Sequence, residues 1–563
     1  MTDIRRTILW VIFGFSLVML WDQWQVFNGK PATFFPSPPK QSATAPKGAA
    51  SAVPTPAPAG PSAVPATASA VVPGAVPGAS PAASRERITV KTDMMEVVFD
   101  PEGATIVHTD YPKLAGDKPG IPFVLLDQGP DRVYVAQSGL IGGDFPTHKT
   151  VMAAVPGERT LRDGQNDLSI RFESPVQGGV KLAKTYRFKR GAYDVEVKHE
   201  VINAGSAPVS PQLYLQLVRD GNKLPGESSF YSTFTGPAVY THEKKFQKVE
   251  FSDIEKGKAD FEKASGDGYV AMVQHYFASA WLLPDGLKRD LFMRKVDNNL
   301  YAAGMITSLP AIAPGAAQTV DARFFAGPQE EKTLEKIYPG LDLVKDYGWL
   351  TILAKPLYWL LSKLHDFIRN WGWSIMALVL IIKIAFYWLQ AKGYESMAKM
   401  KAINPKVMAL RERYKDNPQQ MQQEMMRIYR EEKVNPLGGC LPIFIQIPVF
   451  IALYWVLLSS VEMRGAPWIG WIHDLSQKDP YFILPVVMTL STLLQTALNP
   501  VPPDPMQAKM MWFMPLIFSV MFFFFPAGLV LYWITNNILS IAQQWLINTR
   551  MGVPPEFNLP KFR

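Results

Sequence analysis

A single cysteine, Cys440, occurs in 563 residues. No disulfide can close within the chain, and no Cys-based zinc or iron-sulfur cluster can form. Seven histidines are scattered without HExxH or comparable metal spacing, and the chain has neither a GxxxxGK-S/T phosphate loop nor a GxGxxG turn opening a helix. Redox, metal-cofactor and nucleotide-driven classes are set aside, and no cofactor is expected. Residues 31 to 84 lack aromatics beyond Phe34 and Phe35 and consist largely of Pro, Ala, Ser, Val and Gly, as in SAVPTPAPAGPSAVPA. Such a segment builds no core and reads as a spacer.

Apolar residues make up 48% of the chain and are unevenly spread. The part after the spacer reads as an ordinary soluble chain, whereas the last two hundred or so residues hold several apolar runs of spanning length. Two solvents are implied. Residues 7 to 21 follow Arg5 and Arg6, as in a signal peptide or an anchor. No A-x-A-like cleavage site follows, and Trp10, Trp21 and Trp24 suit an interfacial belt, which predicts a retained anchor. Further spans are expected at 371 to 389, 439 to 460, 481 to 498, 511 to 525 and 527 to 547, six in all. The fifth is short, and Pro526 with Gly528 leaves a tight turn before the sixth, so these two form a hairpin.

Orientation follows from the basic residues flanking the spans. Residues 392 to 433 carry ten Lys and Arg against six Asp and Glu, which assigns that loop to the cytoplasm. Both termini then lie in the cytoplasm, and the long segment between spans one and two lies outside. From about 86 to 330 that segment is strand-like. Tyr193, Val195, Val197, His199 and Val201 share one face, and Leu213, Leu215 and Leu217 recur at period two, which predicts a β-sandwich. His199, His242 and His275 sit in no nucleophile or acid/base constellation and read as structural, His199 as a core histidine. Residues 349 to 364 are apolar but interrupted by Lys355 and Pro356, which predicts an amphipathic helix lying on the outer leaflet.

Polar groups inside the spans are one-sided. Lys383 lies in span two among Leu380, Ile381, Ile382 and Ile384, where a cation costs about 2.5 to 3.5 kcal/mol on insertion scales. Snorkelling of its four-carbon stem to the inner interface is the plain alternative. Gln446, Gln495, Asn536, Asn537, Gln543 and Gln544 all fall in cytoplasmic halves, while the outer halves hold Leu453, Tyr454, Val456, Leu457 and Phe522 to Phe525. A channel would be polar through its whole thickness. The pattern predicts a wet pocket open inward and closed outward, able to shorten the apolar path for the polar part of a nascent segment, with a cation that attracts acidic residues.

Asn404-Pro405 and Asn417-Pro418 each place a capping residue before Pro at a first helical position, so the cytoplasmic loop reads as a helical hairpin meeting near Asp416. Its methionines, Met397, Met400, Met408, Met421, Met425 and Met426, either pack the hairpin or form an adaptable client-binding face.

These residues also carry a resemblance. SMAKM (396 to 400), EMMRIYREEKVNPLGGCLPIFIQIPVFIALYWVL (424 to 457), WIHDLS (471 to 476), DPM (504 to 506) and FPAGLVLYWITNN (525 to 537) resemble the YidC/Oxa/Alb family of membrane protein insertases. FFAGPQE (324 to 330) and KTYRFKRG (184 to 191) resemble its Gram-negative branch. The resemblance implies a mixed fold: a polytopic α-helical membrane bundle of six spans, five forming the conserved core, plus a periplasmic β-supersandwich. It implies insertion of nascent membrane proteins into the bacterial inner membrane, alone or with the Sec translocon, with chaperone-like help in folding. The ribosome is an implied transient partner, no small-molecule substrate is expected, and the external domain is largely dispensable. The family's groove arginine corresponds to Lys383, which keeps the charge but not the planar fork. Family substrate contacts map onto Ile447, Phe450, Tyr532 and Trp533.

The expected organisation is an anchor (1–24), a linker (25–85), a β-sandwich (86–340), an interfacial helix (341–370), span two (371–391), a cytoplasmic hairpin (392–438), spans three to six (439–549) and a tail (550–563). Arg550, Lys561 and Arg563 are the tail's only bases, too few for strong ribosome binding. A transporter using Lys383 for an anionic solute would call for inverted repeats, and none is evident. A tethered carbohydrate-active enzyme would call for paired carboxylates, and no pair is identifiable.

Overall fold

The computed structural model describes residues 86–116, 121–224, 233–414, 417–432, 441–499, 505–552 and 557. The expected anchor (1–24) and linker (25–85), the end of the hairpin segment (433–438) and all but Phe557 of residues 553–563 lie outside the described residues. The chain forms two compact units, divided between Lys345 and Asp346.

The first unit is a β-sandwich. Strand Asp194–Asn203 shows why: Val195, Val197, His199 and Val201 are buried while Glu196, Lys198 and Glu200 alternate with them on the other face. It pairs antiparallel with Val180–Lys189 on one side and Ala317–Pro328 on the other, at the centre of a nine-stranded sheet. A ten-stranded sheet is built around Val133–Ile141, Gln212–Asp220 and Leu300–Ser308. Leu213, Leu215 and Leu217 are fully buried, and Trp281 packs against Phe324 with ring centroids 4.8 Å apart. Two short helices, α1 (Phe251–Glu255) and α2 (Glu331–Ile337), complete the unit.

The interior of this sandwich holds a lysine. Lys184 is fully buried and donates to the carbonyls of Gly103 (2.6 Å) and Ser138 (2.7 Å). It faces His199 across the strand pair, and His199 Nε2 lies 3.0 Å from Ser138 Oγ. Burial lowers the Lys184 ammonium to about 7 and the His199 imidazole to about 3. His242 lies 3.6 Å from Asp267 and is half exposed, and His275 stacks on Tyr276 at 3.7 Å.

The second unit is helical: α3 (Thr351–Ile368), α4 (Trp371–Ala385), α5 (Tyr387–Arg413), α6 (Pro418–Glu431), α7 (Leu441–Ser459), α8 (Ile483–Leu498), α9 (Pro505–Met521) and α10 (Ala527–Arg550). No single helix among the described residues is long and apolar enough to cross a membrane; α4 and the part of α5 up to Leu410 pass that test together, bent by 69° at their junction. Helix α3 packs on α7 and α4, and α10 packs on α8 and α4. Gly372 permits the approach of α4 to the loop after α7, since a Cβ there would sit 2.2 Å from the Trp468 ring.

In the hairpin, Asn417 caps α6 by accepting from the Gln420 amide, with Pro418 at the first position. Asn404-Pro405 starts no helix; Pro405 lies inside α5, which begins at Tyr387. Ala398, Ile403 and Val407, on both sides of Pro405, are buried.

Candidate functional site

Helix α4 starts where the Asn370 side chain accepts from the Trp373 amide, and the same side chain donates to the carbonyl of Trp468 (3.1 Å). The helix ends at Ala385 with Phe386 as its C-cap, the residue of the 69° bend. Lys383 therefore sits three residues before the bend, where the helix turns away, and it is buried. Its Nζ donates to Ser540 Oγ on α10 (2.7 Å) and to Gln390 Oε1 on α5 (3.4 Å). Ser540 Oγ donates in turn to the Asn536 carbonyl (2.7 Å), and Gln446 Nε2 on α7 donates to Asn536 Oδ1 (3.2 Å). One polar chain thus runs Lys383, Ser540, Asn536, Gln446 across three helices.

Beside it is a cavity of about 30 Å³ lined by Val379, Ile382, Lys383, Phe386, Leu389, Gln390, Gln446, Val449, Tyr532 and Asn536. That is room for about one water. Lys383, Gln446 and Asn536, named from the sequence, meet here. Asn537 and Gln495 do not. Asn537 points about 100° around α10 from its neighbour and donates to Ser491 Oγ (3.0 Å) and Thr492 Oγ1 (2.8 Å) on α8. Gln544, seven residues on, donates to Asn499 Oδ1 (3.1 Å) at the end of α8. Gln495 is half-buried on α8, away from the cavity.

A second hollow of about 740 Å³, almost wholly apolar, lies among α7, α8, α9 and α10, lined by Phe450, Ile451, Tyr454, Met488, Thr492, Met510, Met511, Met514, Pro515, Phe518, Ser519, Met521, Phe522, Phe525 and Trp533. Three rings stand between the two hollows. Phe450 stacks on Tyr532 (5.9 Å) and meets Trp533 edge-on (4.7 Å), so that Tyr532 lines the polar cavity and Trp533 the apolar groove. Ile447 lines neither and is exposed.

The end of the unit that carries the loop 460–482 is packed shut. Asp479 is buried and accepts from Trp471 Nε1 (3.0 Å) and from the amides of Tyr481 (3.0 Å) and Leu484 (2.7 Å). The first amides of α10, Ala527 and Gly528, donate to Gln477 (2.7 Å) and Leu475 (2.9 Å). The space among Tyr454, Met463, Leu475 and Leu529 is about 10 Å³, at most about one water.

Ser540 and Gln390 are not among the residues the sequence points to. Ser540 was visible as Asn536 plus four on one helix face. Gln390 was not, because only the bend returns it toward Lys383.

The chain has a β-sandwich unit and a helical unit with a buried cation, and two family models divide it at nearly the same place. Residues 87–360 match the YidC periplasmic domain model, and residues 363–553 match the 60Kd inner membrane protein model. A protein of Cupriavidus necator named membrane protein insertase YidC is 57% identical over 557 residues, 98% of each chain. One of that name from Ralstonia nicotianae is 55% identical over 550 residues, again 98% of each chain. A crystal structure of an active YidC insertase with its first transmembrane domain resolved is similar at 18% identity and a TM-score of 0.37, covering 82% of this chain and 92% of its own, too distant for geometry to be carried across. The chain belongs to the YidC family of membrane protein insertases.

Proposed function

We propose that this chain inserts nascent membrane proteins into the bacterial inner membrane and helps them fold, alone or beside the Sec translocon, by holding a polar segment near Lys383 while the adjoining apolar segment passes along the Met-lined groove. The single observation that carries this reading is the adjacency of the two hollows across Phe450, Tyr532 and Trp533. A guest with a polar tail and an apolar stretch meets both environments at once. No bond is made or broken, and burial of about 20 apolar residues in lipid is itself favourable.

In this reading the chain spans the membrane six times, with both termini in the cytoplasm and the sandwich in the periplasm. The belt of exposed apolar side chains on the helical unit, among them Ile384, Leu490, Ile517 and Val520, supports contact with lipid. On α3, the exposed stripe Ile352, Trp359 and Phe367, with Lys363 between them, supports an interfacial position. Lys383, Gln446 and Asn536 form the groove's polar wall; Asn537 has the lesser role of joining α8 to the bundle. The ribosome is a transient partner through the basic hairpin.

Site-specific photocrosslinkers at Phe450 and Tyr532, in the full chain within membranes, should capture stalled nascent membrane proteins, and one at Ile447 should capture them less. Absence of any adduct from Phe450 or Tyr532 in an active preparation would overturn the reading.

A further inference from the structure

We infer that Ser540 is a positioning residue that sets the depth at which the groove presents its positive charge, and thereby selects clients by where along them an acidic residue falls. The inference rests on the proposed role of Lys383 in meeting acidic client residues.

The serine hydroxyl has one proton, directed at the Asn536 carbonyl at 2.7 Å, and the Tyr394 hydroxyl on α5 is a further neighbour of the same group. Its lone pairs face Lys383 Nζ, also at 2.7 Å. A hydroxyl so arranged has nothing to donate to an arriving carboxylate, so its part is to hold the lysine. Lys383 has three protons and, in Ser540 and Gln390, two acceptors. Among the described residues one proton remains for a further acceptor, and the cavity at hand takes a group of about the size of one water.

The two acceptors stand on different mounts. Ser540 is on α10, which Asn537 and Gln544 join to α8 and whose first amides are tied to the loop 460–482. Gln390 is on α5, beyond the 69° bend, and its contact is the longer one at 3.4 Å. An ammonium on a flexible four-carbon stem has no depth of its own. Pinned to Ser540 it takes the depth of a braced helix. Released, it relaxes toward Gln390 and the inner end of α4, as long basic side chains do.

The test uses the full-length chain in membrane vesicles and a series of single-span clients with one Asp moved stepwise along the translocated segment, each matched by its Asn version. Protease protection of that segment is the readout. The unmodified chain should show a maximum at one Asp position. Ser540→Ala should lower the ratio of Asp to Asn client at that position roughly tenfold, the loss of one hydrogen bond to a charged group, and move the maximum. Ser540→Thr should keep both, and Ser540→Val, its isostere without the hydroxyl, should behave as Ser540→Ala; this pair separates hydroxyl from volume. Lys383→Gln should abolish the Asp dependence, and adding Ser540→Ala to it should change nothing more. If Lys383→Gln loses the dependence while Ser540→Ala and Ser540→Val keep ratio and position, the Ser540 inference alone falls. If Lys383→Gln retains the dependence, the role given to Lys383 falls as well.

Discussion

Adjacent residues of one type do unlike things in this chain because a helix turns 100° per residue. Asn536 faces Gln446 and carries Ser540, whereas Asn537 stitches α10 to α8. Burial likewise gives two ordinary bases in the sandwich unusual chemistry. Lys184, lowered to about 7 from 10.5, has two carbonyl partners and no counter-ion in its hydrogen bonds. Between those values the unfolded chain binds this proton and the folded one does not, so the contribution of Lys184 to stability should rise with pH above about 7, opposed near pH 10 by buried tyrosines raised above their usual value. His199, lowered to about 3 from 6.5, acts in the same direction lower down: stability should fall as pH drops from 6.5 toward 3. Urea unfolding of the sandwich, followed by pulse proteolysis, should show the alkaline rise, and Lys184→Met should flatten it. A rise unaltered in Lys184→Met would assign it to other groups.

At the scale of elements, breaks and anchors matter more than helix length. The bend at Phe386 makes two helices of a stretch whose composition is continuous, and it brings Gln390 back to Lys383. Pro405 makes no such break: α5 runs through it, with Ile403 and Val407 buried on either side. At the opposite end of the bundle Asp479 is the anchor, with two backbone amides and an indole directed at one buried carboxylate. Asp479→Ala leaves those donors unsatisfied and should cost about 2–3 kcal/mol. Amide exchange of residues 481–488 in detergent should quicken, while that of residues 540–550 stays slow. Equal quickening at both ends would mean that the loop is no separate anchor.

For the molecule as a whole, the sandwich and the helical unit are separate compact units, and one family model covers the sandwich and the start of α3 while another covers the rest of the helical unit. Every residue of the proposed groove belongs to the helical unit. A chain lacking residues 86–340 should therefore insert simple single-span clients within about twofold of the intact chain, as expected when a domain has its own core. Protease protection of the client's translocated tail would measure this, and loss of insertion by a stably accumulated deletion variant would place part of the machinery in the sandwich.

Much was legible along the chain because it depends on period and composition. Alternation at period two marks strand Asp194–Asn203, and helices α7, α8, α9 and α10 occupy the apolar stretches read as spans. Lys383 stood out because a cation among Leu and Ile is costly wherever it points. Periodicity does not say which face of a helix meets which neighbour. Only tertiary structure separated Asn536 from Asn537, left Gln495 out of the cavity, returned Gln390 across the bend and placed Ser540 under the ammonium, because each of these turns on helix rotation and on contacts between residues far apart in the chain.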